Sequence, residues 1–130
     1  LPAGMRAIDL PDEAGASYLL DVFGRPQRAS ACECERSSEA NLGQSLHLLN
    51  GAEVQAKLAN QAGRAVKLAD DKRPDREKLT ELYAWFFART PTGPELKVAT
   101  EYLAAAKDKR VAWQNLVWAL LNSKEFCFNL

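Results

Sequence analysis

Two cysteines and the only histidine of the chain lie close together in the sequence, and all three can bind metal. Cys32 and Cys34 precede His47, and the third cysteine, Cys127, lies near the C-terminal end. Thiolates and imidazole are zinc ligands, but C-x-C is not the usual spacing of zinc-binding cysteines. A metal site at Cys32, Cys34 and His47 is one prediction. The alternatives are small buried thiols, or a disulfide from Cys32 or Cys34 to Cys127.

Charged side chains of both signs surround the two cysteines. The carboxylates Asp21, Glu33, Glu35 and Glu39 are interleaved with Arg25, Arg28 and Arg36, and Arg25, Arg28, Glu33, Glu35 and Arg36 are the candidates for binding. Two carboxylates can act as general acid and base where a pocket separates their pKa values. Guanidinium groups can instead hold carboxylates in bidentate pairs that fix the loop, and the interleaved signs favour this interpretation. These five residues are therefore candidate binding residues, and no catalytic residue is predicted.

The common catalytic signatures do not occur in the sequence. It contains no GxGxxG, phosphate loop, HExxH, CxxC or CxxCH motif, so no cofactor is predicted. His47 on its own fits the edge of an apolar helix stripe, where it would donate to a backbone carbonyl. The three tryptophans, Trp85, Trp113 and Trp118, could stack on a sugar, but their helical spacing beside leucines is typical of a core. Whether the chain is an enzyme stays open.

The composition indicates one globular domain over residues 1–130. The 130 residues are 47% hydrophobic and carry 17 basic and 17 acidic side chains, so the formal net charge is zero. A nucleic-acid-binding surface needs clustered Lys and Arg, and a membrane span needs about 20 apolar residues in a row. The sequence has no excess of Lys and Arg and no apolar run of that length, so neither nucleic-acid binding nor a membrane span is predicted. The chain begins at Leu1 and not at Met, which suggests a mature or excised piece of a longer protein.

The spacing of apolar residues predicts helices along most of the chain. Leu42, Leu46 and Leu49 form one inward stripe of a helix capped by Ser37 or Ser38. Gly63 weakens a later helix, so a kink or break is expected there. Gly24 is expected to end the first helix, and Pro74 to begin a later one. Thr92 and Glu95 have the spacing of a capping box, and the stripe predicted to be buried in the helix that follows includes Ala99 and Leu103. On the last long helix, Val111 is expected to face inward and Trp113 or Trp118 to lie at the edge. The predicted helices cover residues 12–23, 38–50, 52–68, 74–87, 92–106 and 108–121, with a last turn around Phe126. The fold class is all-α, a compact bundle of about five to seven helices with an irregular N-terminal lead-in and a Cys-containing loop.

Three segments of the chain resemble a known family. They are residues 25–36, 46–50 and 120–126. Together with an Arg-x-Pro-Thr turn within residues 83–95, they look like the C-terminal planctomycete-type domain of unknown function 1553. The resemblance covers nearly the whole chain, although Cys127 stands where the family has an apolar residue. It implies a C-terminal domain of a large exported, often cytochrome-c-linked protein, and hence an extracytoplasmic location. The family offers no catalytic residues to transfer.

These observations predict a non-catalytic helical docking or interaction module. Its partners would be the preceding domains of the parent protein, and no small-molecule ligand is identified. The stretch from Ala29 to Glu39 is the predicted functional surface. The alternative is part of a redox-linked or carbohydrate-active enzyme with its site near the Cys/Glu/Arg loop.

Overall fold

The computed structural model describes residue 9 and residues 17–25 and 41–128, which form helices joined by turns and loops, with no strand among them. The predicted all-α class is therefore confirmed. The helices are α1 (Tyr18–Val22), α2 (Leu42–Asn50), α3 (Ala52–Leu58), α4 (Arg64–Asp70), α5 (Asp75–Phe87), α6 (Gly93–Ala105), α7 (Lys109–Leu121) and α8 (Lys124–Phe128). The chain divides into two compact units, residues 1–47 and 48–130. A single domain over the whole chain stays a prediction.

In the first unit, α1 is short because both of its ends are fixed locally. The Ser17 side chain accepts from the backbone N–H of Leu20 at 3.4 Å. Gly24 follows the helix with φ of 82°, a left-handed conformation that costs glycine little. The predicted stop at Gly24 is thus confirmed.

Helix α2 begins at Leu42 with Asn41 as its cap. The predicted start at Ser37 or Ser38, which lie outside the described residues, is therefore wrong. The Asn41 side chain accepts from the Gln44 N–H at 3.0 Å, and the Gln44 side chain accepts from the Asn41 N–H at 3.2 Å. This reciprocal pair satisfies two backbone donors at once. The Gln44 amide also donates to the carbonyl of Val22 at 3.1 Å, which joins α2 to α1.

The leucine stripe of α2 does not point inward as predicted. Leu42, Leu46 and Leu49 are 74%, 50% and 37% exposed. The buried residue of this helix is His47, whose ring lies 5.3 Å from the Tyr18 ring. The periodicity identified the helix correctly, but it could not identify which face is covered.

In the second unit, α4 and α6 pack against α7, and α5 packs against α6. The unit's largest fully buried side chains are Trp113, Leu79, Leu82 and Leu103. The expected break at Gly63 is confirmed, since α3 ends at Leu58 and α4 begins at Arg64. A Cβ on Gly63 would lie 2.8 Å from the Asn60 carbonyl oxygen, so the turn has no room for a side chain there.

A buried lysine joins α4 to α5 in this core. Lys78 is 3% exposed, and its ammonium group donates to the carbonyls of Leu68 at 3.1 Å and Asp71 at 3.2 Å. It also pairs with Asp75 at 2.8 Å and lies 5.0 Å from the centre of a ring of Trp113. The last carbonyls of a helix have no partner within the helix. Lys78 therefore supplies hydrogen-bond donors to carbonyls at the end of α4, while Asp75 pairs with its charge.

Candidate functional site

An open apolar groove lies between α6 and α7 of the second unit, with a volume of about 710 Å³. Its walls are mainly apolar and aromatic: Pro94, Val98 and Tyr102 from α6, and Leu116, Trp118 and Ala119 from α7. Ligand sites in proteins commonly have volumes of about 300–1,000 Å³ and mainly hydrophobic walls. The groove is therefore the strongest candidate for a binding surface among the described residues.

The α6 wall is exposed because this helix carries two apolar stripes and only one is covered. Ala99 and Leu103 are buried against the rest of the unit. Pro94, Val98 and Tyr102, each four residues apart, form the second stripe. Val98 is 66% exposed and Tyr102 is 41% exposed. A helix that is apolar on two sides has two faces to bury.

Two hydrogen bonds fix aromatic side chains in the groove walls. The Asn115 amide donates to the Tyr102 hydroxyl at 3.1 Å and so links α7 to α6. The Trp118 indole N–H donates to the Leu49 carbonyl at 3.1 Å. Each bond gives the polar atom of an aromatic side chain a partner while its ring lines the groove.

Near the Glu95 side of the groove, Arg89 is held by two carboxylates. It makes two hydrogen bonds to Glu95, at 2.8 and 3.0 Å, and two to Glu125, at 2.7 and 2.8 Å. Its guanidinium carbon lies 5.5 Å from the Tyr83 ring centre and 5.3 Å from that of Phe87. We call Arg89, Glu95 and Glu125 the Arg89 cluster. It joins the end of α5, the start of α6 and α8.

The backbone around the Arg89 cluster is also specified locally. Ala88 ends α5 in the left-handed conformation, with φ of 52°, so the chain turns sharply just before Arg89. Thr92 caps α6, and its N–H and hydroxyl both donate to Glu95 at 2.7 Å. The capping box expected from Thr92 and Glu95 is therefore present, and it orients the carboxylate that binds Arg89.

The electrostatics of the Arg89 cluster favour binding over proton transfer. Hydrogen bonds from Arg89 hold the pKa of Glu95 at about 2 and keep that of Glu125 below its usual range. Burial raises the pKa of the neighbouring Tyr83, and the Glu95 charge adds to this shift. Both carboxylates are thus ionised near neutral pH with Arg89 bound between them, whereas a general acid needs a pKa near the working pH.

Of the five residues predicted to bind a ligand, only Arg25 is described. Its guanidinium makes hydrogen bonds of 2.9 and 2.6 Å to Asp21, four residues earlier. This pair agrees with the interpretation that arginines hold nearby carboxylates. The other four, Arg28, Glu33, Glu35 and Arg36, lie outside the described residues, so their binding role stays a prediction.

The predicted metal site also stays a prediction, because Cys32 and Cys34 lie outside the described residues. His47 is 9% exposed, and its Nε2 atom has no hydrogen-bond partner in the described part of the chain. Within those residues no group of three or more His, Cys, Asp or Glu side chains could hold a metal ion. Cys127 is exposed, and the alternative of a disulfide to it stays a prediction, because Cys32 and Cys34 lie outside the described residues.

The three tryptophans have different environments. Trp113 is fully buried, so it cannot stack on a sugar. Trp85 is 43% exposed, with the Arg64 guanidinium carbon 4.3 Å from its ring centre. Only Trp118 lines the groove. The expectation that tryptophans occupy the core or its edge therefore holds for Trp113, whereas Trp118 belongs to the candidate site.

Sequence reasoning did not identify the groove or the Arg89 cluster. A signal for the groove was present, because Pro94, Val98 and Tyr102 follow a helical spacing next to the stripe assigned to the core. Of the Arg89 cluster, only Glu95 had a local sequence pattern, namely its capping-box spacing with Thr92. The second carboxylate of the cluster, Glu125, is 36 residues away from Arg89.

The fold and the groove define an all-α protein with an open apolar groove and no recognisable catalytic centre among its described residues. The chain belongs to the PSD1 family, described as a protein of unknown function (DUF1553), whose model matches residues 4–103. This confirms the resemblance found in the sequence. The match ends within α6, so the α7 wall of the groove and the segment 120–126 lie beyond it.

No curated protein and no solved structure shows significant similarity to the chain. No described helix is both long and apolar enough to cross a membrane.

Proposed function

We propose that this chain is a non-catalytic docking module of a larger protein. Its groove between α6 and α7 would receive an apolar helix from one of the preceding domains of that protein. The exposure of Val98 and Tyr102 beside Trp118 carries the proposal. Contiguous apolar surface of this kind is costly in water and commonly marks an interaction site.

The shape of the groove supports a helix as its occupant. Pro94, Val98 and Tyr102 repeat every four residues along one wall, so the stripe covers about 12 Å of helix axis at 1.5 Å per residue. Two turns of a second helix have the same length. Amphipathic helices bind apolar grooves through side chains at such spacings, with most of the free energy coming from buried apolar surface.

The chemistry of the groove supports a non-catalytic role. Its one carboxylate, Glu95, is ionised and occupied by Arg89 and Thr92. No described hydrogen bond joins either of its tyrosines, Tyr83 and Tyr102, to a carboxylate, and the Tyr102 hydroxyl accepts from Asn115. An extracytoplasmic location is part of the proposal, and it is supported by family resemblance alone.

Photo-cross-linking in the full-length parent protein tests the proposal. Benzoylphenylalanine replaces Val98 in the groove or, as a matched control, Val111, which is 48% exposed on α7 and does not line the groove. We expect cross-links from position 98 to one helix of a preceding domain, at least tenfold more abundant than those from position 111. Equal yields at the two positions would contradict docking in the groove. Cross-links to a second copy or to another protein would overturn the named occupant.

A further inference from the structure

The Arg89 cluster leaves one negative charge beside the groove. One guanidinium is bound by two carboxylates, and the side chains of Arg89, Glu95 and Glu125 are each about one third exposed, at 34%, 33% and 33%. No lysine in the described part of the chain forms an ion pair with either carboxylate. The excess charge is therefore partly accessible to solvent and to a partner.

The charge is also fixed in position. The donors of Arg89 hold both oxygens of Glu95, and Thr92 holds one of them a second time. Each carboxylate oxygen can accept more than one hydrogen bond. Glu95 therefore keeps acceptor capacity on Oε1, which has a single described donor, while its rotamer is locked. A carboxylate held in this way can bind a partner's cation without losing further side-chain freedom.

We infer that the helix bound in the groove carries a lysine or arginine beside its apolar stripe, and that this cation lies at the Glu95 end. The inference rests on the proposed docking function and adds the charge and direction of the occupant. The apolar walls would provide most of the affinity. The cation would fix which way the helix runs, because charge complementarity contributes more to specificity and orientation than to affinity.

A selection from a randomised library of helical peptides tests this on the whole chain. Peptides that bind the Val98→Asp variant are removed first, so that the remaining binders depend on the groove. We expect these binders to share an apolar stripe with a Lys or Arg next to one end of it. Changing that residue to Glu should weaken binding by about two- to fivefold, the range of a solvent-exposed ion pair.

Two protein variants locate the source of the preference. Glu95→Gln and Glu125→Gln each remove one negative charge, and Gln at position 95 can still complete the capping box. Either variant should abolish the preference for Lys over Glu. A preference that survives in both variants would overturn the inference, because the cation would be recognised elsewhere. Groove-dependent binders without any cation would overturn the inference but leave docking intact. A library with no groove-dependent binder would overturn the docking function itself.

Discussion

Helix α7 has two sets of apolar residues, and their environments differ. Ala112, Trp113 and Val117, the packed face, are buried, and α7 packs against α4, which buries Ala65, Val66 and Leu68. Leu116, Trp118 and Ala119 line the open groove. The two sets have similar composition, so composition does not separate the core from the groove. The difference is that neighbouring side chains cover the packed face and leave the groove residues partly uncovered.

The largest effect should follow from Trp113→Ala on the packed face. The indole is fully buried against the Lys78 side chain, and removing such a side chain costs about 3–5 kcal/mol of unfolding free energy. Urea denaturation followed by circular dichroism measures the loss. Trp85→Ala is the matched control. Trp85 is 43% exposed, and a surface cation–π contact is worth about 1 kcal/mol or less. Similar losses in the two variants would contradict the assignment of Trp113 to the core.

The starts and breaks of helices in the second unit were predicted well from the sequence. Pro74, followed by apolar residues at helical spacing, correctly indicated α5. The Thr92–Glu95 pair correctly indicated the start of α6, and Gly63 correctly indicated a break. Each of these features depends on residues within about one or two turns, and the corresponding backbone hydrogen bonds are equally local.

What the sequence could not predict depends on distant partners. Val111 was expected to point inward but is 48% exposed, whereas Trp113, expected at the edge, is completely buried. A pattern on α7 shows that the helix has apolar faces, but the position of α4 decides which face is covered. The same limit explains the exposed leucines of α2 and the missed groove, because an uncovered stripe has the same periodicity as a covered one.

An intermediate effect should appear on acidification, through the Arg89 cluster beside the groove. Because the pKa of Glu95 is lowered to about 2 in the folded chain, its contribution to stability is present above its ordinary pKa of about 4.3. That contribution is lost as the pH falls from there towards 2. Glu125, whose pKa is lowered by the same arginine, changes in the same direction. The effect should be smaller than that of Trp113→Ala, because water screens a cluster that is one third exposed.

Unfolding free energies at several pH values test this effect. Glu95→Gln should flatten the fall in stability between pH 4.5 and 2, since the variant has no charge to lose at this position. Glu101→Gln, an exposed site on the same helix, is the control and should keep the steeper fall. If all three proteins lose stability in parallel, the Glu95–Arg89 pair does not stabilise the fold.

The smallest effects should follow from valine-to-alanine substitutions, one on the packed face and one in the groove. They also test the comparison most directly. Val117 is 7% exposed on the packed face, and Val98 is 66% exposed in the groove. Burial is worth about 0.8 kcal/mol per methylene, and alanine is a better helix former than valine by about 0.5 kcal/mol. Val117→Ala should therefore lose about 1–2 kcal/mol, because lost burial exceeds the gain in helix propensity. Val98→Ala loses little burial, so it should be neutral or more stable by up to about 0.5 kcal/mol.

Urea denaturation of the two variants measures the sign of each change in the free energy of unfolding. A loss of more than about 1 kcal/mol in Val98→Ala would mean that the groove wall is part of the core, and it would remove the basis for docking there.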